Sequence, residues 1–158
     1  MSGQLTAVDL TITGTIPLFT LGAIHKDVLG RTFQYVKGGG TLNQYDYCKV
    51  STDGNFTITA ATTTTNPSTE PAEIGCVQVS GGFTSTKYGW IFRGGGAHIG
   101  NFAASCVQDV KIYTTATAGV VDDAATTLIN GLKLIATITS AASAAAWATE
   151  DKMTTVAA

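Results

Sequence analysis

The stretch Tyr88 to Gly100 reads YGWIFRGGGAHIG, and an earlier one, Thr32 to Thr41, reads TFQYVKGGGT. Each sets aromatic and β-branched residues before one basic side chain and three glycines. Glycine runs cradle phosphates when a strand feeds a helix, in the patterns G-x-G-x-x-G or GxxxxGK[ST]. Here Gly94 and Gly96 supply the first two glycines, the third position is Ile99, and Gly100 falls one place late. Neither run precedes a long amphipathic stretch whose N-terminal amides would hold a phosphate. The structural alternative covers both copies, because consecutive glycines permit positive φ at a tight turn or let two backbones approach closely. The runs are therefore expected to be turns in a β scaffold, and the aromatic segments before them strands.

Threonine, glycine, alanine and serine dominate the remaining sequence, with Val, Ile, Tyr and Phe at short intervals and 3 prolines. That mix favours short strands separated by turns. LGAIHKDVLGRTFQYVK reads as a hairpin, with Ala23 to Lys26 and Arg31 to Lys37 as arms and Asp27 to Gly30 as the turn. Leu42 to Val50 reads as a strand region, and Asp53-Gly54 after it is a strong short hairpin signal. The first half is thus expected to be a meander. Residues 60–73, with four consecutive threonines and two prolines, read as a long exposed loop. EIGCVQVS, KYGWIFR, Val110 to Thr114, Leu132 to Ile138 and DKMTTVA read as further strands, and SGGF and Asp122-Asp123 as turns. Residues 140–149, SAASAAAWAT, have the best helical propensity in the chain and read equally as a short helix or a small-residue loop.

Residues 1–18 stand apart as an N-terminal arm, with one β domain over 19–158. In the arm Val8, Leu10 and Ile12 alternate with Asp9, Thr11 and Thr13, the period of a half-buried strand that must pair with its own sheet or with a neighbour. The expected class is all-β: a small sandwich or barrel of short antiparallel strands, with an extended arm and at most one short helix.

Length and charge narrow the function. A chain of 158 residues fits one domain and buries a substantial core. Only 13% of residues are charged and the net charge is −2, which argues against nucleic acid as a partner, since phosphate binding needs clustered Lys and Arg. No run of 18 apolar residues suggests a membrane span. No charged n-region of a secretory signal precedes Lys26, so synthesis in the cytoplasm is expected.

Cys48, Cys76 and Cys106 are far apart, without the close pairs of a zinc site, and are expected to be buried small hydrophobes. His25 and His98 lack a local nucleophile or paired carboxylate. Asp122-Asp123 falls short of a calcium loop. Trp90 and Trp147 read as core or interface anchors. No catalytic, cofactor-binding or metal-binding residue is therefore assigned, and an enzyme is not expected.

LGAIHKDVLGRTFQYVKGGGTLNQYDYCKV, EIGCVQVSGGFTSTKYGWIFRGGG and TATAGVVDDAATTLINGLKLIAT together resemble the capsid decoration, or cement, proteins of tailed bacteriophages. The resemblance covers roughly residues 20–158 and rests on structural motifs. It implies an all-β module on the outer surface of the virion head, made in the bacterial host cytoplasm, with the major capsid protein and copies of itself, as a homotrimer, for partners. The arm lies outside the resembling region and is the first candidate for a capsid or intersubunit contact, by strand addition. Its contact residues are expected to be Leu5, Val8, Leu10, Ile12 and Ile16, joined by Trp90. The alternative is another virion β module, such as a head-fibre base, a tail component or a carbohydrate-binding domain.

Overall fold

The computed structural model describes residues 8–62, 72–124 and 126–156. Among these there is no helix, and the chain is all-β. Leu5 and most of the long threonine-rich loop lie outside the described residues.

Five strands close into a small barrel. They are β3 (Thr32–Gly38), β4 (Tyr47–Val50), β5 (Thr57–Ala60), β6 (Glu73–Cys76) and β7 (Tyr88–Gly94), in the ring order β7-β3-β5-β4-β6 and back to β7. Local turn chemistry builds two of the hairpins. Strand β2 (Ile24–Lys26) pairs with β3, placing Ile24 opposite Gln34 and His25 opposite Phe33. The Asp27 carboxylate closes that turn by accepting hydrogen bonds from the amides of Leu29 at 3.0 Å and Arg31 at 2.9 Å and from Arg31 Nε at 2.7 Å. Between β4 and β5, Asp53 accepts from Ser51 Oγ and from the Asn55 amide, and Gly54 takes φ +84°, as the Asp-Gly signal required.

A simple meander would not close this ring. Strands β3 and β5 run parallel, with Lys37 opposite Thr57, and the longest ladder of the ring pairs β3 with the distant β7. A second parallel pairing joins β10 (Val121–Asp122) to β8 (Gly96–Phe102), and the other strand pairings are antiparallel, as expected of a small all-β barrel.

Alternation along each barrel strand divides its side chains between two cores. Val36, Cys48, Val50, Ile58 and Ile91 turn inward with Leu42, Val77, Val79 and Phe83. A barrel of this size has room only for side chains, so these fill it. Outward from the same strands, Phe33, Tyr35, Tyr47, Ile74, Cys76, Trp90 and Phe92 pack beneath a second layer. That layer is built from β8, β9 (Ile112–Thr114), β10, β11 (Leu128–Asn130), β12 (Leu132–Leu134), β13 (Ala142–Ala148) and β14 (Met153–Thr155). Both faces of β3 and β7 are buried, which is why YGWIFRG carries apolar residues at consecutive positions, while β3 buries the polar Thr32 and Gln34 beside Phe33, Tyr35 and Val36. Each fully buried Val or Ile contributes about 1.5–3 kcal/mol relative to an exposed one.

One charge lies inside. Arg93 is fully buried, donates from Nε to the Ile74 carbonyl at 3.0 Å, and donates from Nη1 to Gln34 Oε1 and to Glu73 Oε2, the latter at 2.8 Å. Gly75 lies close by, where a Cβ would press on Ile91.

The glycine runs are sites of close backbone approach, and neither is a strand reversal. After β7 the chain passes through Gly95, at φ +79°, into β8, which pairs with β13 and β10 in the second layer. A Cβ on Gly94 would strike the Glu150 carbonyl, and one on Gly95 would sit 2.9 Å from the Gly30 carbonyl. In the first run no glycine has positive φ. A Cβ on Gly38 would collide with the Thr84 carbonyl, one on Gly39 with Thr57 and the Ile58 carbonyl, and one on Gly40 would meet nothing.

Three other local expectations are corrected. The alanine-rich segment is strand β13, inserted between β8 and β12, because ladder pairing on both sides and burial of Ala146 and Ala148 outweigh helical propensity. Asp122 belongs to β10, opposite Tyr113, so the acidic pair is not simply a turn. Val8 to Ile12 is not a strand. The Asp9 carboxylate accepts hydrogen bonds from the Thr11 amide at 2.9 Å and its hydroxyl at 2.6 Å, a local turn that competes with extended pairing. Among the arm's described residues, only β1 (Thr13–Gly14) pairs with the sheet, opposite Gly89 and Tyr88 of β7.

The contrast within the first glycine run is testable. Gly38→Ala is expected to cost about 1–3 kcal/mol through overpacking against backbone, whereas Gly40→Ala stays within about 0.5 kcal/mol of the parent. Urea denaturation of both variants measures the difference, and equal stabilities would contradict the close approach.

Candidate functional site

The residues expected to make contacts divide between the interior and the surface. Val8 and Leu10 are partly buried and pack on the chain's own aromatic core. Trp90 is only 3% exposed, so within the chain it is a core anchor beneath the arm. It forms edge-to-face contacts with Phe19 and Tyr35, each at a ring separation of 5.2 Å, and with the half-buried His25 at 5.9 Å. The Leu18 amide donates to the Tyr35 hydroxyl at 3.0 Å, and Phe19 stacks edge-on against Tyr35. The arm is thereby fastened to its own domain.

Ile12 and Ile16 face outward, 53% and 71% exposed. They belong to a longer apolar surface than the sequence suggested. Among the described residues thirteen large apolar side chains are exposed, and seven of them, Ile12, Ile16, Leu18, Phe19, Ile24, Val28 and Leu29, fall between positions 12 and 29. Scattered exposed apolar residues need no explanation, whereas seven within one short segment make that segment the candidate surface. Leu18, Phe19, Ile24, Val28 and Leu29 were not singled out from the sequence. The period-two pattern of the arm stops before them, and the hairpin reading said nothing of which residues would sit at its tip.

An apolar cleft of about 270 Å³ opens between the arm and the barrel. Val8, Ile12 and Leu18 wall it, with Phe19, Tyr35 and Trp90 on the barrel side. A separate exposed aromatic is Trp147 on β13, opposite Ala97, beside the pair Ala145 and Ile99. The two tryptophans, equivalent in the sequence, thus take opposite roles.

The groups capable of acid-base or nucleophilic chemistry are dispersed. His98 is buried, shares a hydrogen bond of 3.0 Å with the Tyr47 hydroxyl, and stacks on Phe92 at 4.3 Å. Burial holds its pKa down to about 4. Cys48, Cys76 and Cys106 are buried free thiols, as expected. Burial pushes Cys48 up to about 12, Cys106 up to about 11 and Cys76 well above its ordinary value, which disfavours the nucleophilic thiolate.

The fold does bring Cys106 Sγ and carboxylate oxygens of Asp122 and Asp123 within 4.8 Å of one another, a juxtaposition invisible in the sequence. The carboxylates meanwhile accept hydrogen bonds from backbone amides, Asp123 Oδ2 from Val107 and Asp122 Oδ1 from Asp123. These are the residues that could hold a cation among those described, and they are one donor short of a closed tetrahedral set.

Comparison with protein-family models, with curated proteins and with solved structures finds no match.

The buried histidine gives the domain a defined pH dependence. In the unfolded chain His98 binds a proton near pH 6.5, while in the folded chain it stays neutral down to about 4. The unfolded state therefore binds more protons between these values, so stability is complete above about pH 6.5 and declines as the pH falls toward 4, by about 2–3 kcal/mol. Urea midpoints at pH 7 and pH 4.5 should fall further in the parent than in His98→Gln. Equal declines would remove His98 as the source.

Proposed function

We propose that this chain is a capsid decoration protein, which binds the outer surface of a tailed-phage head and stabilises the mature shell. The observation that carries the proposal is the concentration of exposed apolar side chains between Ile12 and Leu29, on an arm and hairpin laid over a rigid barrel. Low charge supports it, since a sparsely charged surface loses little on burial against protein. So does the resemblance of residues 20–158 to that family. The partners are the major capsid protein and further copies of the chain as a homotrimer, on the exterior of the virion.

The mechanism is linkage. A protein that binds the mature lattice and not its disassembled subunits lowers the free energy of the lattice, by about 2.7 kcal/mol per site when present at 100 times its Kd. Several contacts on one oligomer add about 10²- to 10⁴-fold in avidity. Ile16 and Ile24 supply desolvated apolar area to such a contact, while Val8 and Leu10, turned inward, hold the arm at a fixed angle. Because Thr13 and Gly14 already pair with β7, the arm docks through side chains, and strand donation is not required.

Deleting residues 1–18 would uncover Tyr35 and Trp90, so the informative change is at the surface. Ile16→Asp should preserve the fold and reduce occupancy on purified heads at least about tenfold, the loss of about 1.4 kcal/mol that one desolvated apolar side chain provides. Cosedimentation of labelled chain with heads measures it. Unchanged occupancy would remove the arm from the contact, and failure of the parent chain to bind heads would remove the function.

A further inference from the structure

Trp147 is 49% exposed although it stands mid-strand in β13, with β8 paired on one side and β12 on the other. Among the described residues its ring meets no other aromatic ring and its indole N–H donates to no acceptor, whereas Trp90 touches three rings. Ala97 lies directly opposite Trp147 on β8, and Ala145 follows two residues along the same face, so these neighbours bring only methyl groups toward the indole. Lys133 stands on the side away from β8. Toward β8 the indole borders a hollow of about 290 Å³ whose other walls are Leu29, Arg31, Gly96 and Ala97. The strand ladders on both sides hold this aromatic surface in place.

Arg31 gives the hollow a polar edge. Its stem crosses Gly96, where a Cβ would stand 3.1 Å from Arg31 Cγ, so the last glycine of the second run sets the course of the side chain. Asp27 accepts from Nε at 2.7 Å and the Ala97 carbonyl from Nη1 at 3.5 Å, while the guanidinium carbon lies 5.6 Å from the centre of the Phe33 ring. Nη2 has no partner among the described residues. A planar donor that is already ordered, beside an exposed indole that is also ordered, is a preorganised binding pair.

The chemistry of that pair selects its ligand. An anion gains little, because Asp27 already answers the charge of the guanidinium. A wholly apolar group would strip water from Nη2 and from the indole N–H and return no acceptor. A nucleotide would bring phosphate to a chain of net charge −2. A neutral sugar ring supplies both missing parts: C–H groups on one face to lie against the indole, and hydroxyls at the rim to accept from Arg31 and Trp147.

We propose that the hollow between Trp147 and Arg31 binds one neutral pyranose ring of a glycan. A single ring is a weak ligand, of about millimolar Kd, and repetition of the site in an assembly raises the strength of attachment. The proposal stands apart from the capsid reading. It uses the outer face of the second layer and leaves the arm free, and an isolated chain would hold the same sugar.

Titration of the isotope-labelled full chain with the methyl glycosides of glucose, galactose, mannose and N-acetylglucosamine tests it. The chain has 2 tryptophans, hence two indole N–H signals in a proton–nitrogen correlation spectrum, and Trp147→Phe assigns them by removing one. At least one of these sugars is expected to shift the Trp147 signal along a saturating, salt-insensitive curve and to leave the Trp90 signal in place. Followed at the Ala97 amide, Trp147→Ala should weaken that sugar at least about tenfold, while Trp147→Phe, which keeps a ring face, should retain most of the binding. No shift with any of the four sugars, a Trp90 signal that moves instead, or binding undiminished in Trp147→Ala would each overturn the site. Tighter and salt-sensitive binding of glucuronate than of the neutral glucoside would show an anion site and equally overturn it.

Discussion

The ladder between β3 and β7 determines the rest of the molecule. It places Tyr35 opposite Trp90 and Phe33 opposite Phe92 on one face, and Val36 and Ile91 on the other. Two cores therefore hang on one register. A shift of a single residue would exchange the faces, driving indole and phenyl rings into a barrel interior already filled by Val36, Val50, Ile58, Ile91, Leu42, Phe83 and the Arg93 side chain. Arg93 guards against it. Its guanidinium finds Gln34, Glu73 and the Ile74 carbonyl only when it points inward, and a slipped register would strand that charge against the aromatic core, at the high cost of an unpaired buried ion.

Because both faces of the barrel strands are consumed by packing, the apolar surface left over comes from elements outside the ring. The arm, the β2–β3 tip and the outer face of β8 and β13 are such elements, and Ile16, Leu29 and Trp147 are their exposed side chains. The barrel is thus separate from the elements that carry the exposed apolar side chains, the usual division between a scaffold and what it displays.

The barrel was largely legible in the sequence. TFQYVKG and YGWIFRG announced themselves by β-branched and aromatic content, and Asp53-Gly54 and Asp27 to Gly30 by turn chemistry, because these signals are local. Pairings between distant segments were not legible. Nothing in Thr57 to Ala60 states that it runs parallel to β3. The alanine segment misled because its strand state is imposed by β8 and β12 on either side. Of the residues expected to make contacts, Ile12 and Ile16 are exposed and Trp90 is buried, since a large aromatic looks the same from the sequence whether it anchors a core or faces outward. Trp147 shows the other outcome. The cluster of Cys106 with Asp122 and Asp123 depends on chain folding across fifteen residues and left no motif.

The distance along the chain between β3 and β7 also sets a schedule for biosynthesis. Thr32 pairs with Gly94, 62 residues later. At a translation rate of about 5–20 residues per second, β3 emerges roughly 3–12 s before its principal partner exists. During that interval Phe33 and Tyr35 lack Phe92 and Trp90, and only the β2 hairpin and the preceding Leu18 and Phe19 can cover them. The nascent polypeptide is consequently most vulnerable to clumping with other unfinished chains on the same messenger, and slow ribosomes or crowded polysomes would lower the yield of native molecules before any finished copy had met another.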